Sequence, residues 1–141
     1  MPIPVFNPLQ NQQITSAMVN LTAQTADVAT QETTTSTSYT DLATGGPAVT
    51  LSPGVTQDQR LDVAGSIANG SAAAYSYMSI AIAAAAAADG DSARHAITTL
   101  LVSSRGTLAT AVASGGVHTA KYRVTANTGT YAERRSMGMA I

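Results

Sequence analysis

The chain has 141 residues, seven basic and eight acidic side chains, a net charge of −1 and no cysteine. That balance excludes the basic footprint of a nucleic-acid or anionic-membrane binder, and the missing cysteines exclude a disulfide framework and thiolate metal sites. Charged residues make up 11% of the chain, against about 25% in an ordinary soluble domain, which predicts that partners cover part of the surface.

Residues 1–13 carry Pro2, Pro4 and Pro8 among Asn and Gln. Proline fixes φ and donates no N–H, so this stretch reads as an extended arm. Its apolar side chains Ile3, Val5, Phe6 and Leu9 are the candidate anchor to a partner. The opening has neither a basic n-region nor a long apolar run, so no export leader is expected. Residues 14–27 show helical spacing, with Ile14, Met18 and Leu21 on one stripe and Thr15 or Ser16 as N-cap. So short a helix needs its stripe packed, on the domain or in a homo-oligomer.

From Val28 the composition turns Thr-rich, which favours strands, and residues 28–141 read as one β-domain. Gly45-Gly46-Pro47, Ser52-Pro53-Gly54 and Asn69-Gly70 mark turns between AVTLS, RLDVAGSI and AAYSYMSIAIA. The run Ala83–Ala88 has helical propensity, but its place between a strand and Asp89-Gly90-Asp91 predicts a strand end passing into a loop. HAITTLLVSS and TLATAVAS read as two strands about a turn at Arg105-Gly106. The longest apolar stretch, near Ile80–Ala88, falls short of the ~20 residues of a spanning helix.

In the last quarter, His118, Ala120, Tyr122 and Val124 share one parity, with Lys121 and Arg123 on the other. After Asn127-Thr128-Gly129, Arg135, Met137, Met139 and Ile141 alternate against Arg134, Ser136, Gly138 and Ala140. Two alternating runs about a Gly turn read as a closing β-hairpin, with Gly129 supplying a positive φ. The fold expected is all-β, an antiparallel, jelly-roll-like sandwich of about eight strands, preceded by the arm and the short helix.

Little catalytic chemistry stands out. His95 and His118 sit near strand starts, without a nucleophile elbow. Asp89-Gly90-Asp91 is turn chemistry without the EF-hand pattern, and the remaining carboxylates show no catalytic spacing. No enzyme activity, cofactor or metal is expected. Lys121, Arg123, Arg134 and Arg135 gather positive charge on the expected hairpin, either a patch for an acidic partner surface or a solvated strand face.

Four segments, in order, resemble a family of small β-sandwich virion proteins of tailed bacteriophages, especially those of actinobacteria: QITSAMVNL, ETTTSTSYTDLATGGPAVTL, AYSYMSIAI and HTAKYRVTANTGTYAERRSMGMAI. The poly-Ala stretch and the MGMAI end depart from the family's pattern. The resemblance implies a structural virion protein. The small domain and its Pro-rich arm favour a trimeric capsid decoration protein on the major capsid protein. The alternative is a minor tail or receptor-binding protein, docked to tail proteins and meeting host-surface glycans through Tyr39 and Tyr131.

Overall fold

A computed structural model describes residues 23–141. The expected arm, and the helix as far as residue 22, lie outside them, and with them Ile3, Val5, Phe6, Leu9, Ile14, Met18 and Leu21. Within the described residues the chain forms nine strands: β1 (Ala23–Val28), β2 (Glu32–Thr34), β3 (Ala48–Leu51), β4 (Gln57–Asn69), β5 (Ser76–Ile82), β6 (Ala93–His95), β7 (Leu101–Val112), β8 (Gly116–Val124) and β9 (Gly129–Ala140). One sheet runs β1-β9-β4-β7, with β2 also on β9; the other runs β3-β8-β5-β6. The named strand pairs are antiparallel, so the fold is the expected sandwich, with jelly-roll strand order.

The core is where the two inner faces meet. Leu61, Val63 and Ile67 of β4 oppose Met78 and Ile80 of β5 and Ala120 and Tyr122 of β8, all nearly or fully buried. Each such aliphatic side chain contributes about 1.5–3 kcal/mol on leaving water. Tyr122 and Tyr131 meet edge to face at 4.9 Å, and each hydroxyl donates to a backbone carbonyl, of Gly46 at 2.8 Å and of Arg123 at 2.7 Å. Burial pushes both phenols up, Tyr122 to about 12. Tyr131, expected on an exposed loop, is therefore a core residue.

Five local expectations are overturned. Residues 23–27 are not the end of a helix: Thr25 and Asp27 lie in β1, paired with Met137 and Arg135 of β9, whose open edge supplies the backbone partners. The closing hairpin does not exist, because β8 and β9 belong to opposite sheets and the 125–128 connection crosses the sandwich. There Asn127, not Gly129, takes the positive φ, of 60°. Gly129 is required for space, since a Cβ would lie 2.6 Å from Val124 Cγ1 and 2.8 Å from Ser76 Oγ. Arg105-Gly106 is mid-strand in β7, opposite Val63 and Asp62. The glycine admits the Asp62 carboxylate, whose Oδ1 lies 2.5 Å from the position a Cβ would take. Conversely, HAITTLLVSS is split, β6 ending at His95 and β7 beginning at Leu101 in the other sheet. Beyond Val28, which ends β1, the Thr-rich stretch is strand only over β2, with one further bridge from Thr40 to Tyr122. The alanine run leaves β5 through a turn at Ala83 (φ 51°) and forms no helix.

Candidate interaction surfaces

The four cations expected to form one patch are dispersed. Lys121 and Arg123 face outward on β8, opposite Ser79 and Tyr77 of β5 rather than opposite the last strand. Lys121 Nζ binds both oxygens of Asp41 at 2.8 Å. Arg123 binds Asp89, with Nε 2.9 Å from Oδ1, and its guanidinium stacks 4.1 Å over Tyr77 and 5.4 Å from the Tyr39 ring centre. Tyr39 donates to Asp89 Oδ1 at 2.9 Å. The Arg123 hydrogen bonds, with Tyr39's added, hold the Asp89 carboxyl below its ordinary range. Burial pushes the Tyr39 hydroxyl up.

This cluster fastens two loops over the four-stranded sheet. Ser79 Oγ donates to Ala88 O at 2.7 Å, laying the alanine run on the same face. Asp89-Gly90-Asp91 forms a 3-10 turn whose carboxylates go separate ways, Asp89 to Arg123 and Asp91 to the hydroxyl of Thr107 at 3.1 Å. The exposed aromatic here is Tyr75, with Arg94 5.5 Å from its ring centre. Sequence reasoning missed it, weighing Tyr39 and Tyr131 instead.

Arg134 is a different case. It points into the sandwich and is fully buried, with Glu32 as ion partner and the carbonyls of Thr30 and Thr44 accepting at 3.2 and 3.4 Å. Its guanidinium lies 5.4 Å from the Tyr122 ring centre. Burial pushes the Glu32 carboxyl up, but the N–H and hydroxyl of Thr44 and the Arg134 charge outweigh it and hold it low. Buried ion pairs act by fixing geometry more than by adding net stability. This one ties the 28–46 segment to β9.

The interior also holds polar atoms without a partner among the described residues: both amide atoms of Gln59, Nε2 of His118 and Nε of Arg134. His118 Nδ1 accepts from Ala83 N–H at 3.2 Å, and burial alone pulls the imidazole down, so it is neutral in the fold. His95 is half-buried at the end of β6. No group of three His, Asp or Glu residues able to hold a metal occurs among the described residues, and none of their helices is long and apolar enough to cross a membrane.

The outer face of the five-stranded sheet is arranged otherwise. On β9 the inward positions are Arg134, Ser136, Gly138 and Ala140, while Met137 and Met139 point out. The cause is space: at Gly138 a Cβ would already stand 3.0 Å from Leu51 and 3.2 Å from Leu61 and Val49. Cross-strand register puts Met139 beside Arg60 and Arg60 beside Leu108, with Met137 beside Asp62 and then Gly106. Met137 and Met139 are 40% exposed, Ile141 51%, Leu108 60% and Val102 76%. The face carries its own ion pairs, Arg60–Asp62 at 3.2 Å and Arg135–Asp27 at 2.5 Å. At its upper end the register shifts at Gly65, and Glu133, with φ 48°, bulges out to accept from Ser66 Oγ at 3.2 Å.

No family model and no curated protein matches the sequence. Solved structures do match the fold. The Eiger TNF of S. frugiperda is similar over 84% of this chain and 92% of its own, with a TM-score of 0.52 and 8% identity. A chain of infectious bursal disease virus, strain Gt, is similar over 85% of this chain, with a TM-score of 0.50 and 8% identity; the match spans 33% of that longer chain. At such identities the likeness is one of fold. A TNF-like jelly roll is thus shared with a viral protein.

Proposed function

We propose that this chain is a structural protein of a tailed-phage virion, made in the host cytoplasm. In this reading it is a homotrimeric decoration protein, held on the major capsid protein through its N-terminal arm. The observation that carries the proposal is a small jelly roll with several exposed apolar side chains on one sheet face of the described residues. A low-charge chain of this kind gains by closing its faces in a symmetric assembly. The resemblance of four ordered segments to phage virion proteins supports the same reading, and so does a fold shared with a chain of infectious bursal disease virus. Three described ion pairs, Lys121–Asp41, Arg123–Asp89 and Arg134–Glu32, fasten loops, which fits a structural role.

Quantitative mass spectrometry of purified virions against the major capsid protein tests the placement. Hundreds of copies per particle are expected. A handful, in multiples of three or six, moves the protein to the tail, where exposed Tyr75 beside Arg94 becomes the surface to test against host glycans. Deleting residues 1–13 should abolish incorporation while leaving a folded, self-associated domain. Full occupancy by the truncated protein would refute the role of the arm.

A further inference from the structure

We propose that the outer face of the five-stranded sheet, centred on Met137, Met139, Leu108 and Ile141, is the surface through which copies of this chain bind one another. The inference rests on the self-association part of the proposed function and assigns it a place.

Three observations point to a copy of the chain as the occupant. First, Met139 and Leu108 flank Arg60 on adjacent strands, with Met137 and Ile141 next along β9 and Val102 further along β7, so solvent-exposed apolar groups share one face. Exposed apolar groups gathered on one face of a small domain, here around the Arg60–Asp62 pair, mark an interaction site. Second, the cations on that face are already matched, Arg60 with Asp62 and Arg135 with Asp27, and the carboxylates outside these pairs, Asp58 and Glu133, stand at its two ends. A strongly acidic partner finds no free cation to complement, whereas a second copy sets a charge-matched centre against its own. Third, the size is right. The positions from Gln59 to Ile67, paired throughout with β7 and at all but Gly65 with β9, and four strands at ordinary spacing give a face of roughly 30 by 19 Å, on the order of 570 Å² in projection. Side-chain relief brings this towards the ~800 Å² that each partner contributes to a standard interface. The opposite face of the sandwich offers no equivalent, because Arg123, Asp89 and the alanine run lie across it.

The test uses the full-length protein in solution, without particles. Sedimentation velocity across a wide concentration range should give a multiple of the 14.3 kDa chain mass. Replacing both Leu108→Glu and Met139→Glu sets carboxylates on either side of Arg60, which cross-strand pairing tolerates while charging the interface. This variant should keep its circular dichroism and sediment as a monomer; Thr37→Glu, an exposed position beside the other sheet, should remain associated. As a check independent of mutation, peroxide should oxidise Met137 and Met139 several-fold more slowly in concentrated than in dilute protein, with buried Met78 slow in both. A wild type that is monomeric throughout, or a double variant that still associates, overturns the proposal. Association through this face by a protein absent from virions would leave the interface standing and remove the virion reading, so the two fail separately.

Discussion

Tyr77 on the outside of the four-stranded sheet lies under Arg123, which is held in turn by Asp89 and flanked by Tyr39. Met139 on the outside of the five-stranded sheet lies between Ala23 and Arg60 across the strands and is 40% exposed. Both sit on regular strands with the same alternation, yet among the described residues one face is closed by loops and the other is not. The difference shows what a scarcity of charge is used for. Five of the seven basic residues are in ion pairs, and three of those pairs, Lys121–Asp41, Arg123–Asp89 and Arg134–Glu32, tie down connections rather than decorate the surface.

The comparison breaks most visibly at Glu32. Glu32→Ala leaves Arg134 buried without its counter-ion and should cost about 3–5 kcal/mol, read as a shift of the urea midpoint with unchanged slope. Arg123→Ala removes the Asp89 pair and the stack on Tyr77, for about 1–2 kcal/mol, and should speed amide exchange in residues 83–92 ahead of the core. Gln59→Leu replaces two buried, unpartnered amide atoms and should stabilise by about 1 kcal/mol. On the bare face, Met139→Thr should move the stability of dilute protein by less than about 0.5 kcal/mol.

Acid separates the groups further. Asp89 and Glu32 have folded values below the ordinary 3.8 and 4.5, so their contribution is complete above those values and is lost as pH falls through the depressed ones. His118 sits below 6.5: as pH drops under 6.5 the unfolded chain takes up a proton that the buried ring refuses, and stability falls earlier. Urea midpoints followed from pH 7 to 3 should therefore decline in two limbs, and His118→Gln should remove the upper one.

The sandwich itself was legible, because turn residues at short spacing and the parity of residues 118–124 report burial directly. Sheet membership was not. A strand that turns back beside its predecessor and one that crosses to the opposite layer carry the same alternation, so β8 and β9 read as a hairpin. The same ambiguity hid the bare face: Met137 and Met139 look like the core side of β9 until Leu51 and Leu61 are seen to fill the space opposite Gly138. Residues 23–27 have helical spacing, but pairing with an open edge more than a hundred residues later decides their state. The Arg123 cluster joins four segments, at Tyr39, Tyr77, Asp89 and Arg123, and no local pattern announces it.

β9 lies between β1 and β4 and also carries β2. It is thus the common neighbour of strands made much earlier, with Asp27 waiting for Arg135 across 108 positions. During synthesis the five-stranded sheet has nothing to close on until those late residues emerge, and contacts of such separation form slowly. Until then β1, β2 and one side of β4 present unsatisfied edges, so quality control has a long window in which to act. A nascent chain stopped before residue 129 should be a substrate for chaperones rather than a partly working domain.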